Sequence, residues 1–151
     1  MSASLSLAQA DQIIDAALRR SAELDLHPLA VAVLDAGGHL VAFRRQDHTG
    51  ILRRQIAEAK AWGALGMGVG SRALAHRAEM APQFFAALAD TSQGRLIPVP
   101  GGVLIRDDDG EIVGAVGVSG DMPDNDESCA VYGIEQTKLT ADPGQAAPPH
   151  A

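Results

Sequence analysis

Several groups of residues in this chain carry enough chemistry to build a site. Asp126 and Glu127 stand at the start of an expected helix, where a carboxylate can accept a proton and return it. The plainer reading of that acidic start, which includes Asp124, is complementarity to the helix dipole. Lys60 lies among alanines in AEAKAWGAL (57–65). Buried there, a lysine gives up its charge more easily and becomes basic; if its stem snorkels, the ammonium stays in water.

Arg45, Asp47 and His48 follow an apolar strand and precede a helix. A guanidinium binds a carboxylate bidentately, and a helix N-terminus adds free N–H groups and partial positive charge. The opposing reading is a charged loop in which Asp47 pairs with an arginine. Gly101 and Gly102 can turn backbone N–H groups toward an oxyanion, and Ser119 can offer its hydroxyl or N–H to a ligand at a strand end. Joined together, these residues describe an enzyme acting on a small organic acid. Arg45 would clamp the carboxylate, Asp126 or Glu127 would act as acid and base, and Lys60 would be a further base.

Other motifs fall short of a chemistry. Gly66-x-Gly68-x-Gly70 has Ser71 where a dinucleotide loop needs glycine, and it follows a helix where that loop follows a strand. Gly117-Val118-Ser119-Gly120 has Asp121 where a nucleophile elbow needs glycine. His76 and Glu79 share a helix face as half of a metal pair, with no partner ligands in view, so no metal site is expected. Cys129 reads as a small buried apolar residue.

Composition narrows the partners. The chain has 151 residues, 12 Lys plus Arg against 19 Asp plus Glu, and a net charge of −7. An acidic chain with 3% aromatic residues is poorly suited to nucleic acid or to an anionic membrane. No apolar run approaches the roughly 20 residues that span a bilayer, and residues 1–12 lack the pattern of an export signal. One cysteine leaves no intrachain disulfide. The expectation is a cytoplasmic protein of one domain, residues 1–140, with a disordered tail at 141–151.

The elements that position these residues follow from pattern. Ser6 and Gln9 make a capping box, and Leu7, Ala10, Ile14, Ala17 and Leu18 continue at helical spacing, supported by an Asp15–Arg19 pair. Residues 29–35 are apolar on both faces, as in a buried strand, and Asp35-Ala36-Gly37-Gly38 turns the chain into a return strand at 39–45. Thr49 caps a second helix running to about Leu65, with Ile51, Ile56, Ala59 and Gly63 on its buried side. Ser71 caps a short helix, and Pro82 opens another. Residues 103–106 and 111–119 flank Asp-Gly, a strong hairpin signal. Asp124 and Glu127 make a capping-box pattern for a last helix through about Leu139. Two hairpins and their helices form an antiparallel sheet covered by helices.

Taken in order, several segments resemble the GlcG/HbpS family. They are VAVLDAGGHLVAFRR (31–45), Asp47, AEAKAWGAL (57–65), GRLIPVPGGVLI (94–105), EIVGAVGVSGD (111–121), and the helix start with Asp126 and Ala130. The resemblance covers about residues 5–140. It implies a single α/β domain with an antiparallel sheet of about five strands flanked by helices, as in profilin-like folds; the fifth strand would be the 95–99 segment. It also implies a homo-oligomer, built from dimers up to an octamer. Some members bind or degrade haem, so the implied function is a haem- or small-ligand-binding protein. Haem is the implied cofactor, with His48 or His27 as axial candidates. The family commonly has Arg-Met-Asp where this chain has Arg45-Gln46-Asp47.

Overall fold

The computed structural model describes residues 5–145. Helix α1 (Leu7–Glu23) starts at the capping box: Gln9 N–H donates to Ser6 Oγ, and Ser6 N–H donates to Gln9 Oε1, both at 3.0 Å. The hairpin β1 (Ala30–Asp35) and β2 (Leu40–Arg45) follows, then α2 (Arg53–Met67), α3 (Ser71–Met80) and α4 (Pro82–Thr91). The second hairpin, β3 (Gly102–Arg106) and β4 (Ile112–Ser119), leads into α5 (Pro123–Glu135) and a short β5 (Thr140–Asp142). The five strands form one antiparallel sheet in the order β2-β1-β4-β3-β5.

Alternation along the strands sorts the core into two layers. Val31, Val33, Val103, Ile105, Val116 and Val118 face Ile13, Ile14, Cys129 and Ile134 of α1 and α5. Ala30, Ala32, Leu34, Leu104 and Ala115 face Ala57, Ala61 and Ala64 of α2. The second layer is built from small residues, so α2 sits very close to the sheet. At Gly117 the approach leaves no room for a side chain, since a β-carbon there would overlap the Ala57 carbonyl oxygen.

Several expectations are corrected. The 95–99 segment is not a strand: Pro98 and Pro100 lack N–H groups for a ladder, and Ile97 N–H instead reaches Ala59 O at 3.4 Å. The fifth strand is Thr140–Asp142, paired along β3 and fixed by Arg106 Nε to Asp142 Oδ2 at 2.9 Å. Ala141 and Asp142 therefore lie in the sheet, although composition assigned them to a disordered tail; residues 146–151 of that tail lie outside the described residues.

Three expected caps serve other bonds. Thr49 precedes α2 by a turn and donates its hydroxyl to Gln46 O at 2.6 Å, so Ile51 falls outside the helix and is 94% exposed. Ser71 is already helical, and its Oγ accepts the Gly102 N–H. Asp124 and Glu127 do not cap α5, which ends at Glu135; both bind Arg72 of α3. Asp15 pairs with Arg44 across to β2, at 2.7 Å, rather than along its own helix with Arg19.

Candidate functional site

Most of the expected site residues converge at one end of the sheet, where β1 begins and β2 and β4 end. Register sets Arg45 opposite Ala30, and Ala30 opposite Ser119. Directly paired residues share a face, so Arg45 and Ser119 flank the small side chain of Ala30 in a single row. From the first turn of α2, Arg53 reaches this row and donates from Nη1 to Ser119 Oγ at 3.2 Å. Sequence reasoning missed Arg53, because nothing in its local pattern marks it apart from neighbouring charged residues.

The loops carrying His27 and His48 are laced together at Leu29. Gln46 Oε1 accepts the Leu29 N–H at 2.7 Å, its Nε2 donates to Ser21 Oγ, and Gln46 N–H donates to Leu29 O at 2.9 Å. Thr49 Oγ1 also donates to Leu29 O. His48 sits in the left-handed region at φ 70°, and both imidazoles are exposed. Arg45 and Asp47 are exposed too, and among the described residues neither makes an ion pair. The expected alternative, Asp47 neutralised by an arginine, is therefore absent from this loop.

Beneath the row lies a buried pair. Lys60 Nζ donates to Asp126 Oδ2 at 3.2 Å and to Val118 O at 2.9 Å. The two side chains are 3% and 1% exposed. Burial pulls the Lys60 ammonium down and pushes the Asp126 carboxyl up, while their mutual attraction opposes both shifts. Asp126 Oδ1 is also occupied, by the N–H of Asp121 at 2.9 Å. Asp121 in turn accepts the His27 N–H at 2.8 Å, and the neighbouring amide donors of Met122 and Asn125 hold its carboxyl below the usual range. The buried pair thus anchors, through Asp121, the segment that holds His27.

Two expected roles do not fit this geometry. Glu127 is taken by Arg72, which donates from Nε to both carboxylate oxygens at 3.2 and 2.9 Å. The Gly102 N–H is spent on Ser71 Oγ at 2.7 Å, because β3 begins directly beneath the start of α3. Gly101 is buried with φ 125°, and a β-carbon there would press on Lys60 Nζ; its carbonyl accepts the Val118 N–H at 2.9 Å. Both glycines therefore support the buried pair and the strand junction. Among the described residues no cluster of metal-ligating side chains is formed. No helix among them is long and apolar enough to cross a membrane.

A separate cleft of about 500 Å³ opens beside the β1–β2 turn, with Leu34, Leu40, Trp62 and Arg95 on its walls. No local pattern marks it, since its parts come from the hairpin, α2 and the turn after α4.

A family model described as haem degrading protein, HbpS-like, matches residues 5–135. The corrinoid adenosyltransferase PduO of Citrobacter freundii is 26% identical over 131 residues; the match takes in 87% of this chain but 38% of that protein's length. Among solved structures, the PduOC–haem complex superposes with a TM-score of 0.82 at 25% identity, covering 91% of this chain and 97% of that one. A double mutant of Streptomyces reticuli HbpS gives a TM-score of 0.78 at 28% identity, covering 90% and 88%.

Proposed function

Because the chain belongs to the HbpS-like family of haem-degrading proteins, we propose that it binds haem at the sheet end marked by Arg45, Ala30 and Ser119. The observation that carries this reading is the likeness to a relative solved as a haem complex, over nearly its whole length. The residues at that end fit the group. Haem needs an axial donor, apolar contact for the macrocycle, and cations for its carboxylates. His27 and His48 supply imidazoles, and Ile51, Leu52 and Met122 are exposed apolar side chains on the adjoining loops, 94%, 66% and 68% accessible. Arg45 and Arg53 supply the guanidinium groups, and Ser119 steers Arg53 through its hydroxyl.

Bound haem supplies a redox-active iron. The protein's own part is positional. Asp121 fixes the backbone of His27, Gln46 and Thr49 fix the loop of His48, and the Lys60–Asp126 pair keeps the end of β4 in place. The organic-acid alternative draws no comparable support, since Glu127 is engaged by Arg72 and Asp126 by Lys60.

The same reading has the chain acting in the cytoplasm as a dimer-based homo-oligomer of up to eight copies. A free, buried thiol suits that compartment. Exposed Met80 and Phe84 on α3 and α4, 75% and 55% accessible, suit contact between copies.

The test is replacement of the two imidazoles. His27→Ala and His48→Ala are each titrated with haemin and followed by Soret absorbance. Loss of the shifted band in one variant, with secondary structure retained, identifies the axial ligand. Unchanged spectra in both single variants and in the double variant would remove the axial assignment.

A further inference from the structure

The cleft beside the β1–β2 turn lies at the other end of those strands from Ala30 and Arg45. Its chemistry differs from that of the proposed haem site. No histidine, cysteine, methionine or tyrosine lines it, so an iron placed there would find none of the usual axial donors.

Two groups in the cleft, the Arg95 Nη nitrogens and the Trp62 indole N–H, donate to no acceptor among the described residues. The Arg95 guanidinium lies 4.2 Å above the Trp62 ring. Its Nε donates to Ser92 O at 2.8 Å, and no carboxylate among the described residues pairs with it. By contrast, Arg54 on the same rim is already matched to Glu58 at 3.3 Å and lies over Phe43. The Trp62 indole N–H makes no hydrogen bond among the described residues, and it is not sealed off from solvent. Glycine at position 38, with φ 84°, keeps that indole edge open: a β-carbon there would stand 3.1 Å from Nε1.

The turn that delivers Arg95 is costly to build. Gln93 and Gly94 are both left-handed, at φ 58° and 77°, and for a residue with a β-carbon that conformation is uncommon. The turn is held by Gly94 N–H to Ala89 O at 2.8 Å. Leu40, 43% exposed, gives the cleft an accessible apolar wall, while Leu34 is buried at its base.

We propose that this cleft, with Trp62 and Arg95 as its recognition pair, is a second binding site, for a small planar aromatic carboxylate. The carboxylate takes the free guanidinium N–H groups and the indole N–H, as a charge-assisted pair reinforced by a neutral donor. The aromatic ring lies between Leu40 and the indole, where a flat ligand has the most contact.

Trp62 is the single tryptophan of the chain, so its fluorescence reports on this site alone. The full-length protein is titrated with benzoate, and with benzamide and acetate as neutral and ring-free controls, with calorimetry in parallel. The expected result is a saturable change with benzoate only. Arg95→Ala weakens binding by about tenfold or more, the scale of one lost charge-assisted hydrogen bond. Trp62→Phe, followed by calorimetry, weakens it as well while keeping an aromatic wall.

Equal responses to acetate and benzoate, or unchanged affinity in Arg95→Ala, would overturn the proposal. So would the absence of saturation. Haemin titration of Arg95→Ala separates this site from the haem reading. A retained Soret band keeps the two sites distinct, and a lost band would make the cleft the haem site and end the claim of a second ligand.

Discussion

Lys60 and Asp126 meet as an ion pair from which water is almost wholly removed, Nζ standing 3.2 Å from Oδ2 where α2, β4 and α5 come together. Breaking such a pair strands one charge in the interior, at a cost of about 3–5 kcal/mol. Lys60→Met and Asp126→Leu should each lower the urea midpoint sharply. The double replacement should recover much of the loss, because no lone charge remains. A double variant as unstable as the sum of its parts would show that the pair is not coupled.

The glycine at 117 is where α2 rests on the sheet. Gly117→Ala would push a β-carbon into the Ala57 carbonyl, and overpacking of this kind costs about 1–3 kcal/mol or more. Gly110→Ala is the control. Gly110 has a positive φ, 80°, which Gly117 does not, but open space around it, so the substitution there costs only backbone strain, about 1–2 kcal/mol. Thermal melts of the two variants should rank Gly117→Ala as the less stable.

Burial pushes the Cys129 thiol up to about 11, from an ordinary value of 9.0. The native state then holds its proton in a range where the unfolded chain has released it, so stability falls as pH rises from 9 toward 11. Lys60 works in the opposite sense. Its ammonium is depressed in the fold, so the unfolded chain holds the extra proton just below 10.5. Comparing wild type with Cys129→Ala isolates the thiol: the alanine variant should lose less stability over that window. At pH 8 a thiol reagent should react with Cys129 only after unfolding.

Glu127 and Arg72 tie α5 to α3 at a partly exposed position. Glu127→Gln should cost about 1 kcal/mol or less and leave haemin affinity unchanged. A fall in affinity comparable to that of Arg45→Ala would place Glu127 in the site after all.

Much of the architecture was legible because local rules and tertiary packing agree. The Ser6–Gln9 box, the Asp35–Gly38 turn and the Asp-Gly hairpin each specify backbone geometry through their own side chains. The placing of the candidate site was legible in part for the same reason: Arg45, His48 and Ser119 lie at element ends, which pattern locates well. What escaped depends on partners distant in sequence. Thr140–Asp142 becomes a strand only because β3 offers an open edge and Arg106 a counter-charge. Arg53 matters only because α2 lies flat enough on Gly117 to bring it to Ser119. Ser71 and Glu127 carried capping signatures, but Gly102 and Arg72 compete for those groups.

Haem binding itself is read from a haemin titration of the wild-type chain, followed at the Soret band and by size-exclusion chromatography. The expected result is a sharp, saturable shift at a fixed ratio of haem to subunit, with haem co-eluting with an oligomer, and a band that disappears when His27 and His48 are both replaced by alanine. Weak absorbance that grows without saturating, and is the same in that double variant, would contradict it.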